Sequence, residues 1–483
     1  MTDTAFLLNV LARHQLLVQR PSELPAVTGI ASDSRSVAPG NAYVALRGSQ
    51  ADGHRFVGDA VSRGASLVVV EEAVNAGVPE VVVTDGRAAA VALAQAWYDD
   101  PGRSLLLIGV TGTNGKTTTV SLVRHLMNSQ GTAGSIGTLG AFDGTGEAVP
   151  STAGSLTTPG PVDMQATLAA LRDRGCSTVA METSSHSLHQ GRLDGLTFRA
   201  GIFTNLTRDH LDYHGTMESY LASKLRLATL LSNDGVAIVN AEDPAWRSMR
   251  RDVRRITFGR HAAGDVHATG ISLDAAGCRF RLESVFGSAE IALPLLGDFN
   301  LSNALGGAAC ALALGLPVET VAERLNSAPQ VPGRMERLME TPYVVLRDYA
   351  HTPDSLERAL SALRPLTSGR LIVVFGCGGD RDKGKRPIMG RIAAEQSDLP
   401  IVTSDNPRTE DPEVIIDDIV AGMGTTPRRR IADRRAAIRE ALEAARPGDT
   451  VLLAGKGHET YQVVGTEKLP FDEREILREL TGV

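Results

Sequence analysis

One stretch constrains the fold of this chain more than any other. A short apolar run at residues 105–110 leads through Thr111-Gly112-Thr113-Asn114-Gly115-Lys116-Thr117-Thr118 into a helix-forming segment at 117–128. A buried strand that turns through glycines into a helix aims backbone N–H groups and the positive end of the helix dipole at one point, which cradles a phosphate. Lys116, at the helix mouth, is spaced to reach the β- and γ-phosphates of a nucleotide, and the Thr117 hydroxyl to ligate Mg2+. The spacing departs from the general G-x-x-x-x-G-K-[ST] pattern: Val110 stands where the first glycine belongs, and Gly112 lies inside the loop.

The rest of the chain supplies the sheet that such a loop needs. Further apolar runs at 178–181, 201–204 and 236–239 alternate with helical segments, which predicts a mostly parallel, doubly wound sheet. Before it, helix-like 6–19, strand-like 43–46, 67–70 and 81–83, and helical 87–98 predict a small α/β domain that ends in the turn Asp99-Asp100-Pro101-Gly102. A β-rich insertion is expected over 254–296 and a second boundary near Val331-Pro332-Gly333. The alternation then resumes through strands at 344–346, 371–375, 401–403 and 451–454. The expected class is therefore α/β with three domains: a small N-terminal domain (1–101), a central P-loop-type domain (102–332) and a Rossmann-like C-terminal domain (333–483).

Composition narrows the function classes. An apolar fraction of 42% with 22% charged residues is ordinary for globular domains, and a formal charge of −7 lacks the basic footprint of a nucleic-acid binder. The run Arg428-Arg429-Arg430 reads as a solvated boundary. Cys176, Cys278, Cys310 and Cys377 form no CxxC pair and no zinc spacing, so buried thiols are expected. With acidic Asp3 near the start and no long apolar stretch, the expectation is a cytoplasmic protein with no membrane insertion. Lysine is scarce: Lys116, Lys224, Lys383, Lys385, Lys456 and Lys468 are the only six among 49 basic residues. A chain that uses arginine wherever any cation suffices keeps lysine where a compact, titratable amine is needed.

The TGTNGKTT loop resembles the ATP loop of the Mur ligase and folylpolyglutamate synthetase superfamily. Further stretches look like successive signatures of that superfamily: Met181-Glu182-Thr183-Ser184-Ser185-His186, Thr204–Asp212, Asn300–Asn303, Pro332-Gly333-Arg334, Asp348-Tyr349-Ala350-His351 and Gly455-Lys456-Gly457-His458-Glu459. The resemblance implies ATP binding by Gly112, Thr113, Asn114, Gly115, Lys116, Thr117 and Thr118, with Asn300, Asn303, Arg334 and Asp348. It implies two Mg2+ sites drawing on Thr117, Glu182, His210 and a CO2-derived carbamate on Lys224, and catalytic roles for Lys116, His210 and Lys224. Carbamylation needs a neutral amine, which arginine cannot offer.

For the acyl donor, Ser32, Ser34, Ser49, Gln50 and Ala51 look like contacts to a nucleotide sugar, and Thr157, Thr158, Ser184, Gln190 and Arg192 like contacts to a muramoyl dipeptide. Leu156 departs from the Asn that many relatives carry before the Thr-Thr pair. For the amine, Asp405-Asn406-Pro407-Arg408 resembles the form found in members that add meso-diaminopimelate, with Arg381, Gly455 and Glu459 completing the contacts to its second amino-acid head. A carboxylate on that head suits a bidentate arginine. The implied reaction activates the D-glutamate γ-carboxylate of UDP-N-acetylmuramoyl-L-alanyl-D-glutamate as an acyl phosphate, which the amine then displaces. Closure between the ATP-binding and amine-binding domains is expected, and the enzyme is expected to be a monomer. The alternatives are the same ligation with L-lysine, a folylpolyglutamate synthetase-like ligase, the superfamily member that adds the D-alanyl dipeptide, a phosphate-loop switch or transport ATPase, or a catalytically dead nucleotide-binding module.

Overall fold

The computed structural model describes residues 4–48, 51–129, 131–150, 156–250, 252–261 and 264–482. It divides into two compact units, one made of Met1–Ala268, Glu283–Ser288 and Asn303–Val321, the other of Thr269–Leu282, Ala289–Ser302 and Ala322–Val483.

The first unit opens with a five-stranded sheet in the order Leu17–Gln19, Glu80–Val83, Leu67–Val70, Asn41–Val44, Gly29–Ala31. All neighbours are parallel except the first pair. Valines from these strands bury against helices Thr4–Arg13 and Gly86–Trp97. The helix expected over 6–19 is shorter: it stops at Arg13, Gln15 turns at a positive φ of 58°, and the chain returns as the edge strand Leu17–Gln19. Leu16 and Leu17 keep the apolar spacing of a helix because they pack on the same core, and the sheet edge captures their backbone.

The central sheet is built around Leu106–Thr111, with Thr178–Glu182 and then Ala133–Gly137 on one side and Phe198–Phe203, Leu231–Asn240 and Arg255–Gly259 on the other. These six strands are parallel. Strand order therefore reverses at Leu106–Thr111, the position at which open α/β sheets leave a crevice at their carboxyl ends. The register aligns Glu182 with Val110, and Phe203 with Thr111. Three loops thus leave the same sheet edge, side by side at the ~4.8 Å strand spacing. The β-rich stretch expected over 254–296 begins as a continuation of this sheet, since Val266 and His267 pair in parallel with Phe258 and Gly259.

In the second unit a six-stranded sheet runs Glu336–Met339, Val344–Asp348, Thr450–Ala454, Leu371–Phe375, Leu399–Val402, Arg429–Arg430, parallel after its first pair. Alternate side chains divide between two cores: Leu346, Leu371, Val373, Phe375 and Leu452 meet helices Pro353–Leu363, Lys385–Gln396 and Pro412–Val420. Val345, Ile372, Val374, Val451 and Leu453 meet Arg434–Ala444 and Glu473–Thr481. This is the expected doubly wound pattern. All four cysteines are buried and unpaired, as expected. Arg429 and Arg430 pair with surface carboxylates, in keeping with a solvated run. No helix among the described residues is long and apolar enough to cross a membrane.

Beneath the carboxyl edge of the second sheet lies a fully buried ion pair, Arg434–Glu473, at 2.7 Å. Arg434 also donates to the Ala454 carbonyl at 2.9 Å. Removing one partner strands the other charge in the core, so Arg434→Ala should destabilise the protein by about 3–5 kcal/mol, read as a lowered Tm.

Candidate active site

The phosphate loop follows directly from the strand end at Thr111. Gly112 and Gly115 adopt φ of 151° and 85°. A Cβ at Gly112 would stand 1.9 Å from the Thr204 Oγ1, and one at Gly115 would stand 2.3 Å from the Asn303 Oδ1, so both positions exclude a side chain twice over. Gly115 caps helix Lys116–Met127 without a side-chain acceptor, which leaves the helix mouth to its backbone N–H groups. The neighbouring strand's loop holds this one in shape: Thr113 N–H donates to the Asn205 carbonyl at 2.7 Å, Asn114 N–H to Asn205 Oδ1 at 2.9 Å, and the Thr204 hydroxyl to the Asn114 carbonyl at 2.7 Å. Thr204 and Asn205 lie in the Thr204–Asp212 stretch, but nothing in their type or spacing signals this role.

Two lysines converge on one carbonyl. Lys116 Nζ donates to Gly112 O at 3.0 Å and to Thr113 O at 2.8 Å, while Lys224 Nζ donates to Gly112 O at 2.7 Å. Lys224 lies on helix Met217–Thr229 and is buried, 1% exposed, with the Tyr220 ring 4.4 Å from its ammonium. Burial, and then the charge of Lys116, push the Lys224 amine well below the usual lysine range. Glu182, at the end of its strand, is equally buried. Its carboxylate accepts from the Thr138 N–H at 2.8 Å and the Thr138 hydroxyl at 3.2 Å and forms no ion pair among the described residues. Thr138, which orients it, was not singled out from sequence.

His210 begins the short helix Leu211–His214 at a φ of 53°. Its ring is 46% exposed and packs edge-on against His186, centroids 4.8 Å apart. Burial, followed by the neighbouring His210 and His214 charges, lowers the His186 pKa to about 4. The Glu182 carboxylate, the Thr117 hydroxyl and the His210 imidazole are oxygen and nitrogen donors of the kind that hard divalent cations accept, and no cluster of three His, Cys, Asp or Glu side chains able to hold a metal ion occurs among the described residues.

Beside Glu182, four of the expected dipeptide contacts form one hydrogen-bonded chain. Thr158 donates to the Glu182 carbonyl at 2.8 Å and lies 3.2 Å from the Ser184 hydroxyl. Arg192 donates to the Thr158 carbonyl at 3.1 Å and, through two nitrogens, to Gln190 Oε1 at 2.9 and 2.6 Å. Tyr213 accepts from Gln190 at 3.0 Å and joins this group without having been foreseen. Thr157 sits 3.3 Å from the Thr138 hydroxyl, and Leu156 is exposed. Ser32 and Ser34 follow a strand of the smaller sheet, where Asp33 caps the turn, and share no hydrogen bond with that chain. Ala51 is exposed; Ser49 and Gln50 lie outside the described residues.

The second unit holds the expected amine contacts. The Lys456 ammonium is fully buried among Asn406 Oδ1 at 3.0 Å, Glu459 Oε2 at 3.1 Å and Asp405 Oδ1 at 3.5 Å. Asn406 Nδ2 donates to the same Glu459 Oε2 at 2.9 Å, so one carboxylate oxygen is committed to the protein while Oε1 has no hydrogen bond among the described residues. Gly455, at φ 114°, passes within 3.0 Å of Asp405 when a Cβ is added. Arg408 donates to the Gly379 carbonyl at 2.7 Å, Pro407 passes that same glycine, and Arg381 is exposed on the adjoining loop. Arg334 stacks over Tyr349 at 4.6 Å, and Asp348 accepts from the Met335 N–H at 2.6 Å. Asn303 faces the phosphate loop, with Thr119 Oγ1 3.4 Å from its Oδ1, whereas Asn300 donates to the Leu296 carbonyl. Lys456 had no role assigned from sequence; its signals there are the rarity of lysine and its place in the Gly455-Lys456-Gly457-His458-Glu459 stretch.

Three family descriptions match successive parts of the chain: "Mur ligase family, catalytic domain" over 26–99, "Mur ligase middle domain" over 110–311 and "Mur ligase, glutamate ligase domain" over 333–457. A curated relative from Gloeobacter violaceus is 45% identical over 94% of this chain and 93% of its own length. The chain belongs to the Mur ligase family. That relative and one from Geobacillus kaustophilus, 43% identical over 94% of both chains, are described as UDP-N-acetylmuramoyl-L-alanyl-D-glutamate--2,6-diaminopimelate ligases. A solved structure so described matches with a TM-score of 0.64 at 33% identity, covering 94% of this chain and 95% of that one. The expected α/β class and the expected ATP-dependent, amide-forming ligase of peptidoglycan-precursor synthesis are both borne out.

In this Mur ligase the glycine contacts make the loop intolerant of added bulk. Gly112→Ala should lower kcat/KM for ATP about 100-fold, the scale of an ångström-sized misplacement, and should lower Tm as well, because the strained, overlapping Cβ costs on the order of 1–3 kcal/mol; phosphate release and thermal melting measure the two.

Proposed function

We propose that this ligase joins meso-diaminopimelate to the γ-carboxylate of the D-glutamate residue of UDP-N-acetylmuramoyl-L-alanyl-D-glutamate. The observation that carries the reading is the amine pocket: Glu459 keeps one oxygen available for an ammonium, and Arg381 and Arg408 lie on adjoining loops that can take a carboxylate. An amine whose far end bears both groups satisfies both; L-lysine would leave the guanidinium groups without their anion. The substrate description of the 45% identical relative supports the same choice.

On this reading, residues 1–101 hold the nucleotide sugar, 102–332 hold ATP and the dipeptide, and 333–483 hold the amine. Backbone N–H groups of the phosphate loop and Lys116 bind the phosphates, and Lys116 stabilises charge on the transferred γ-phosphoryl group. Arg192 and Ser184 orient the dipeptide so that an oxygen of the D-glutamate γ-carboxylate attacks phosphorus, giving an acyl phosphate and ADP. The neutral amine then attacks the acyl carbon, the C–O bond to phosphate breaks, and the nitrogen loses a proton as the amide forms. Thr117, Glu182, His210 and a carbamate on Lys224 are the groups that would hold Mg2+, which when bound supplies positive charge to the phosphate oxygens. The depressed Lys224 amine favours that modification: nitrogen adds to CO2, and one proton is released. On this reading the enzyme works in the cytoplasm.

ATP-dependent phosphate release with the UDP-muramoyl dipeptide should proceed with meso-diaminopimelate and fall off sharply with L-lysine or L-ornithine; preference for L-lysine would overturn the assignment. Arg408→Lys, which loses the bidentate fork, should raise the KM for diaminopimelate about tenfold. Carbon-13 NMR of the protein equilibrated with labelled CO2 should show a carbamate signal that Lys224→Arg removes.

A further inference from the structure

Arg386 has no exposed surface on its side chain, and among the described residues it makes no hydrogen bond to a group assigned to the substrate. It donates through Nη2 to Glu410 Oε1 at 2.9 Å and through Nη1 to Glu410 Oε2 at 3.1 Å, and Nη1 also reaches Asp418 at 2.9 Å. Glu410 in turn accepts from the Asp380 N–H at 2.6 Å, and Nη2 of Arg386 approaches the Gly378 carbonyl at 3.4 Å.

These contacts join two loops at defined points. Asp380 precedes Arg381, and Glu410 follows Arg408 by two residues. Between them, Gly379 N–H donates to the Asn406 carbonyl at 2.9 Å, Arg408 donates to the Gly379 carbonyl, and Thr409 donates to the Asp380 carboxylate at 2.9 Å. A Cβ at Gly379 would lie 1.9 Å from the Pro407 carbonyl, so the two backbones are in contact. The Arg386 hydrogen bonds, and then the Asp380 N–H, hold the Glu410 carboxyl down at about 2, so it stays charged throughout the working pH range.

We infer that Arg386 and Glu410 form a clasp that fixes the spacing of Arg381 and Arg408, making them positioning residues for the far carboxylate of the amine substrate. The inference rests on the amine-site reading above. Two guanidinium groups can share one carboxylate only if their loops are held at a set separation, and each lies on a surface segment that ordinary loop motion would otherwise move. A buried bidentate pair supplies that separation without occupying the pocket. L-Lysine has no far carboxylate, so its use does not depend on the clasp.

The test measures kcat and KM for ATP, meso-diaminopimelate and L-lysine in Glu410→Gln, which preserves volume, and in Arg386→Met, with Tm as the check on folding. The expected result in Glu410→Gln is about a tenfold rise in the KM for diaminopimelate, with kcat and the KM for ATP changed less than about threefold. The kcat/KM for L-lysine should hold, so that the diaminopimelate-to-lysine ratio falls about tenfold. Arg386→Met should show the same split. Equal losses for both amines, or an unchanged KM for diaminopimelate in the folded Glu410→Gln protein, would overturn the clasp while leaving the amine-site reading intact. A wild-type enzyme that does not use diaminopimelate overturns that reading and the clasp with it.

Discussion

Parallel register in the central sheet is the constraint on which the catalytic half depends. Hydrogen bonding between Leu106–Thr111 and its two neighbours puts Val110 beside Glu182, and Thr111 beside Phe203. The phosphate loop, the buried carboxylate and the Thr204–Asp212 segment consequently emerge at one height. A one-residue slip would turn Glu182 to the other face of the sheet and remove Thr204 from the Gly112 backbone. The glycines then follow from that proximity. Gly112 and Gly115 are required by the approach of Thr204 and Asn303 as well as by their own positive φ.

Charge burial divides into two styles across the molecule. Around the phosphate loop no ion pair compensates it among the described residues: Lys224 meets a carbonyl and an aromatic ring, and Glu182 meets the donors of Thr138. Such groups are costly to bury and therefore point to chemistry, since an external cation or a change of covalent state relieves them. In the second unit, buried cations have their anions. Arg434 meets Glu473, Arg386 meets Glu410 and Asp418, and Lys456 meets Asp405 and Glu459. There the buried charge brings order to loops at the strand ends, and the groups left over face the substrate.

Local spacing determined a good deal by itself. Thr-Gly-x-x-Gly-Lys-Thr between an apolar run and a helix can serve little besides phosphate binding, because φ > 0 and a bare helix mouth are properties of those few residues alone. The strand-helix alternation also determined the α/β class, and the scarcity of lysine singled out Lys116 and Lys224 as amines with work to do. Where a segment's fate depended on a distant edge, the same reasoning fell short: 6–19 has helical spacing throughout, yet its last residues belong to a strand because Val82 and Val83 offer them hydrogen bonds.

Only the tertiary structure decided which residues act through others. The hydrogen bonds of Thr138 to Glu182, of Thr204 and Asn205 to the phosphate loop, of Tyr213 to Gln190, and of Arg386 to Glu410 behind the amine pocket join residues between 23 and 93 positions apart. No sequence period connects such positions, and each is an ordinary polar residue until the fold closes. Sequence named the residues whose own chemistry is unusual; the packed structure named those whose importance is the position they impose on a neighbour, because position is a property of the assembled sheet and not of the residue.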